Sequence, residues 1–88
     1  MVRKRIRFYG SVQGVGFRYR AHHAAKRYGC TGWARNEHDG TVSMEIQGEE
    51  EPIDRVILAI EAGTYVRIEN MRVEAIDLID DERGFRTR

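Results

Sequence analysis

The sequence predicts an α+β sandwich, an antiparallel sheet of four to five strands with two helices on one face. Three observations carry that prediction. Apolar residues alternate with a period of two in four stretches and recur every three or four residues in two others. The stretches follow one another as β-α-β-β-α-β, with a short strand to end the chain. The length of 88 residues, 41% of them hydrophobic, bounds the chain to one small domain over residues 1–88. Such a core needs no staples, since domains of ~60 residues already fold alone.

Residues 2–9 make the first strand. Val2, Ile6 and Phe8 share one face, with Lys4 the exception, while Arg3, Arg5, Arg7 and Tyr9 share the other. The arginines read as the solvated face of a half-buried strand. From Phe17 the period changes: Phe17, Ala21, Ala24, Ala25 and Tyr28 fall at helical spacing, and Gly29 is a natural stop.

Trp33 to Arg35 opens the second strand, Glu37-His38-Asp39-Gly40 supplies turn chemistry, and Val42, Met44 and Ile46 alternate on the third. Glu49 to Glu51 place acidic charge before Pro52, which suits the first position of a helix. Ile53, Val56, Ile57 and Ile60 form its buried stripe, and Gly63 closes it. Val66, Ile68, Met71 and Val73 keep one inward face only if the alternation slips near Glu69–Asn70, as a bulge permits. Asp80 to Gly84 read as a turn before a terminal strand anchored by Phe85. With right-handed crossovers, this order selects the ferredoxin-like split βαβ arrangement. That fold hosts many activities, so function has to come from the site.

Lys and Arg number 15 against 14 Asp and Glu, so the chain lacks the basic excess of a dedicated nucleic-acid binder. Cys30 is the only cysteine, which excludes an internal disulfide and a thiolate metal cluster and reads as a small buried hydrophobe. Met1-Val2-Arg3-Lys4-Arg5 runs into a polar strand without the apolar core of a signal peptide. No apolar run approaches the ~18 residues of a membrane span. The expectation is a cytoplasmic protein with no membrane partner.

The most informative segment is Val12-Gln13-Gly14-Val15-Gly16-Phe17-Arg18-Tyr19, between the first strand and the first helix. A loop there turns N–H groups outward at a helix N-terminus, a ready-made anion site. Glycines let those amides converge without Cβ obstruction. Arg18 adds a permanent, fork-shaped cation in the first turn. Together they read as a grip for a phosphate dianion built without metal. The second segment is Gly32-Trp33-Ala34-Arg35-Asn36 with Gly40, Val42 and Gly48, where Asn36 sits at a strand end. Alone, Asn36 reads equally well as a turn asparagine satisfying its own backbone.

The two segments, Gly10 to Arg18 and Gly32 to Asn36 with its following glycines, resemble the two signature motifs of the acylphosphatase family, complete and in order. The resemblance extends to the Gly84-Phe85-Arg86 ending. It implies a metal-free hydrolase that splits acyl phosphates into a carboxylate and inorganic phosphate and calls for no cofactor; a monomer is the default expectation. It also implies that Arg18 binds the phosphoryl group and that Asn36 positions the attacking water. The amides of Gln13, Gly14, Val15, Gly16 and Phe17 would then meet the phosphoryl oxygens. Two positions depart from the family pattern. Arg20 stands where a bulky apolar residue is common, and Thr64-Tyr65 replace a proline-containing turn.

Residue chemistry agrees with this reading. Phosphoryl transfer needs placement and charge stabilisation more than covalent help. A carboxylate leaving group, whose conjugate acid has a pKa of ~4, departs without a general acid. Asn36 is too weak a base to take a proton, so its task is orientation. A dinucleotide or Walker reading fails, because position 19 is Tyr and no Gly-Lys-Ser/Thr follows. Gly14 to Tyr19 also echoes an RNA-recognition motif, but here the stretch enters a helix instead of lying on a central strand. An inactive phosphate-binding relative is the other alternative. His22, His23 and His38 read as surface or turn residues, Tyr19 and Trp33 as flanks of the pocket, Trp33 mainly as core, and Glu49 to Glu51 as a helix start and not a metal site.

Overall fold

The computed structural model describes all 88 residues. Its elements are β1 (Val2–Ser11), α1 (Phe17–Tyr28), β2 (Thr31–Asn36), β3 (Val42–Gly48), α2 (Glu50–Glu61), β4 (Arg67–Ile76) and β5 (Phe85–Thr87). The five strands form one sheet in the order β4-β1-β3-β2-β5. β1 lies between β4 and β3, and all pairings among β1 to β4 are antiparallel. β5 runs parallel to β2, so the sheet is mixed where the sequence predicts an antiparallel one. The reason is the path of residues 77–84, which carry the chain from one sheet edge to the other and deliver β5 in the direction of β2. Main-chain bonds from Gly32 N to Gly84 O (3.1 Å) and Arg88 N to Ala34 O (2.8 Å) fix it there.

The core lies between the sheet and the helices. Ile6, Phe8, Met44 and Ile46 from the sheet meet Phe17, Ala21 and Ala25 of α1 and Ile53, Val56 and Ile60 of α2. The alanines of α1 let the helices pack closely, and each fully buried Ile, Phe or Met contributes about 1.5–3 kcal/mol. Phe8 and Phe17 meet edge to face with centroids 4.8 Å apart, which anchors the start of α1 against the sheet. Gly29 ends α1 in the left-handed region at φ 71°, where Cys30 N reaches Ala25 O at 2.9 Å. α2 begins at Glu50, so Pro52 occupies the third helical position instead of the first, still within the turn whose N–H groups have no helical acceptor.

The predicted slip in β4 falls at Glu69. Tyr9 pairs with Asn70 and Gly10 with Ile68, leaving Glu69 as the extra residue of a bulge. Gly10 is required there, because a Cβ at its φ of 125° would stand 2.3 Å from Arg67 O. Met71 and Val73 share the face of Phe8 and Ile6 but are 37% and 50% exposed. β4 is an edge strand, and the helices lie over the strands inside it.

One strand-face expectation is overturned. Arg3 is buried at 1% exposure and does not belong to a solvated stripe. Residues 77–84 cross the helix-free face above it. Glu82 takes both Arg3 Nη groups at 2.7 and 3.1 Å, and Arg3 Nε donates to Glu45 Oε1 at 3.0 Å. Gln47 grips the same segment by a reciprocal pair with the main chain of Ile79 at 2.9 and 3.0 Å. Cys30 is buried, and that burial pushes its thiol pKa up, as the hydrophobic reading requires.

Candidate active site

The loop between β1 and α1 turns on two glycines in the left-handed region, Gly14 at φ 70° and Gly16 at φ 82°. Nothing lies within 4 Å of a Cβ built at either, so backbone conformation and not space calls for glycine. Gly16 caps α1 by accepting from Arg20 N at 3.0 Å. The amides of Gly14 to Tyr19 donate to no group in the chain. They form the positive end of the helix, and no acidic side chain occupies its first turn.

Beside these amides opens a cavity of about 370 Å³, lined by Val12, Gly14, Gly16, Phe17, Arg18, Tyr19, Asn36 and Thr87. Arg18 and Asn36, 18 residues apart in sequence, thus face one space. Arg18 comes from the first turn of α1, and its Nη1 donates to the main-chain oxygen of Arg88 at 2.9 Å. Its remaining N–H groups have no partner in the chain. Asn36 closes β2, paired with Val42, and its carboxamide makes no hydrogen bond within the chain. The alternative of a turn asparagine satisfying its own backbone does not apply.

Other loop residues divide their labour. Phe17 is 1% exposed, its ring in the core, so only its main chain faces the cavity. Val15 packs on the core, and neither Val15 nor Gln13 lines the cavity. The Gln13 amide donates to Glu37 O at 2.7 Å and Thr41 O at 2.9 Å, tying the loop to the β2–β3 turn that carries Asn36. Tyr19 does flank the cavity, whereas Trp33 does not. The guanidinium groups of Arg88 and Arg35 lie over the Trp33 ring, 4.6 and 5.3 Å from its centroid.

Thr87 and Arg88 are site residues that sequence reasoning missed. The one signal for them was the similarity of the Gly84-Phe85-Arg86 ending, which stops just before them. His22 binds Phe85 O through Nδ1 at 2.8 Å and so fastens α1 to β5, while His23 lies against Tyr19. His38 is exposed on its turn, away from the cavity. Arg20 bridges the helices, its Nε donating to Ala59 O at 2.8 Å, and its Cδ would stand 2.8 Å from a Cβ at Gly63. No three His, Cys, Asp or Glu side chains converge as a set of metal ligands.

A ferredoxin-like α+β fold that brings unpaired loop amides, one arginine and one asparagine to a single cavity has the chemistry of the small anion-binding α+β proteins. Comparison with known proteins makes this specific. The acylphosphatase family model matches residues 4–87, and the chain belongs to that family. It is 46% identical over 78 residues to an acylphosphatase of Geobacillus kaustophilus, covering 88% of this chain and 83% of that one. It is 39% identical over 87 residues to that of Clostridium acetobutylicum, covering 98% and 96%. The crystal structure of acylphosphatase from Bacillus subtilis superposes with a TM-score of 0.89 at 28% identity, covering 100% of this chain and 99% of that one. The protein is an acyl phosphate hydrolase, with an acyl phosphate as substrate and phosphate as product. The inactive and RNA-binding alternatives are not favoured. No helix is long and apolar enough to cross a membrane.

Proposed function

We propose that the phosphoryl group of the acyl phosphate sits against the amides of the Gln13 to Phe17 loop and of the first α1 turn, with Arg18 forked onto its oxygens. Asn36, from the opposite wall, orients the attacking water toward phosphorus. The observation that carries this reading is the shared cavity of Arg18 and Asn36 beside amides that no group in the chain satisfies.

The chemistry follows from these parts. Water attacks phosphorus as the bond from phosphorus to the acyl oxygen breaks. The electron pair leaves with a carboxylate, which needs no proton because its conjugate acid has a pKa of ~4. The proton lost by water passes to a phosphoryl oxygen, giving dihydrogen phosphate. Negative charge spread over the three equatorial oxygens is what the amides and the Arg18 guanidinium stabilise. Asn36 contributes by placing a nucleophile that would otherwise be lost among solvent orientations. The reaction needs neither metal nor cofactor, and the protein works as a cytoplasmic monomer, one domain over residues 1–88, with no nucleic-acid partner.

The test is hydrolysis of benzoyl phosphate in EDTA, with a phosphomonoester as the unreactive control. Arg18→Ala is expected to lose about 3–4 kcal/mol of transition-state stabilisation, roughly 10²- to 10³-fold in kcat/KM, by analogy with an oxyanion donor. Asn36→Ala is expected to lower kcat while inorganic phosphate still inhibits at its usual concentration. Near wild-type turnover in the arginine variant, or lost phosphate inhibition with intact kcat in the asparagine variant, would overturn the roles.

A further inference from the structure

The helix-free face of the sheet carries its arginines in three successive rows, and the first two are neutralised from within. Arg3 is flanked by Gln47 on β3 and meets Glu45 and Glu82. Arg5 lies between Glu45 on β3 and Glu74 on β4, with ion pairs of 2.9 and 3.5 Å. The third row breaks the pattern. Arg7 faces Arg72 on β4 and Ser43 on β3, and neither neighbouring position holds a carboxylate.

Like charges directly opposite across two strands destabilise a sheet. Nothing in the chain relieves this pair fully. Arg72 makes no hydrogen bond and no ion pair within 4.0 Å. Arg7 donates through Nε to Thr41 Oγ1 at 3.0 Å, which leaves its two Nη groups without a hydrogen-bond acceptor. The carboxylates of Asp39 and Glu37 stand off at 3.8 and 4.0 Å from Nη2, beyond hydrogen-bond distance, and their other oxygens hold Thr41 and Arg35. The two arginines line a basin of about 530 Å³ together with Arg5, Tyr9, Ser43 and Glu74. That is the size of a small-ligand pocket, and it shares no residue with the catalytic cavity.

We propose that this basin is a second anion site, which takes the phosphate group of a small phosphorylated molecule between Arg7 and Arg72. Planar guanidinium forks match phosphate oxygens two at a time. Glu74, the acidic wall of the basin, leans to Arg5 at 3.5 Å, away from the Arg7–Arg72 pair. Tyr9 offers a ring and a hydroxyl to whatever the phosphate carries. The site is solvent-facing, so its affinity falls with added salt.

Amide chemical shifts report the two sites separately when inorganic phosphate is titrated into the protein. In the wild type, phosphate is expected to move the loop amides and, with its own saturation curve, those of Arg7, Tyr9, Ser43 and Arg72. In Arg18→Ala the second set persists, and in Arg72→Ala it weakens at least tenfold while benzoyl phosphate hydrolysis is unchanged. A nucleoside monophosphate binding more tightly than inorganic phosphate would identify an organic phosphate as the ligand, and equal binding would identify the free ion. Phosphate shifts confined to the loop would sink the proposal. So would sheet shifts that survive Arg72→Ala or that chloride reproduces at equal ionic strength.

Discussion

Trp33 holds Arg18 at one remove. The Trp33 indole carries the Arg88 guanidinium 4.6 Å from its centroid, and the main-chain oxygen of Arg88 receives Arg18 Nη1 at 2.9 Å. The stack and the main-chain bond from Arg88 N to Ala34 O together hold that oxygen, and it receives one arm of the Arg18 fork. Arg88→Ala keeps the main chain and removes only the stack, worth about 0.5–1 kcal/mol at an exposed site. The expected result is a two- to fivefold rise in KM for benzoyl phosphate with kcat nearly unchanged. A kcat loss at constant KM would show that Arg88 acts on the reaction step instead.

Gln13 joins the two halves of the site. Its amide donates to Glu37 O and Thr41 O, on either side of the turn that follows Asn36. Gln13→Ala removes two bonds while Glu37 O keeps Gly40 N and Thr41 O keeps Glu37 N, for about 1–3 kcal/mol of stability. Because the lost clamp spans the two walls, activity should fall tenfold or more through kcat. Gln13→Glu presents oxygens to oxygens at neutral pH and should be worse than alanine. Urea denaturation alongside benzoyl phosphate kinetics checks both statements. An alanine variant of full activity would show that the turn holds Asn36 without help.

Most of the fold was legible because its elements repeat a period. The slip near Glu69–Asn70 is written in the spacing, since Val66 and Ile68 share a face with Met71 and Val73 only if one residue is skipped, and the bulge falls at Glu69. β5 left no such trace. Three residues cannot establish alternation, and its parallel direction depends on a connection that crosses the sheet. The same crossing buries Arg3, which a local pattern places on the polar face with Arg5 and Arg7. At the candidate site, the family resemblance singled out Arg18 and Asn36, and the fold brings both to one cavity. The clamp of Gln13 and the approach of Thr87 and Arg88 were not legible, because they depend on which distant segments the sheet order makes neighbours.

The Arg3 network makes removal of one member costlier than replacement of the set. Arg3→Ala takes from Glu45, itself 7% exposed, its buried partner, leaving it only Arg5, and strips part-buried Glu82 of the cation that holds the crossing segment to the sheet. A loss of about 3–5 kcal/mol is expected for breaking a buried pair this way. Arg3→Met combined with Glu82→Gln and Glu45→Gln removes the charges together and should recover much of that loss. Equal destabilisation in the single and triple variants, measured by urea melts, would mean that the ions matter only for their packing.

The same network sets how stability responds to acid. Burial pushes the Glu82 carboxyl up, but hydrogen bonds from Arg3 and Thr31 and the Arg3 charge outweigh it, leaving the group below its ordinary value of 4.5. Glu37, bonded to Ser43 and Arg35, and Asp39, bonded to Thr41, are also lowered. A carboxyl lowered in the folded state binds fewer protons there than in the unfolded chain. Its contribution is therefore complete above the unfolded pKa and disappears as pH falls through the folded one. Unfolding free energy should be level with respect to these groups from neutrality to about pH 5 and fall below it, given unfolded carboxyl values near ~4. Glu82→Gln should be less stable than the wild type at pH 7, and the two curves should converge as pH falls through the lowered range of the native carboxyl. A gap that stays constant across that range would show that Glu82 stabilises through shape and not through charge.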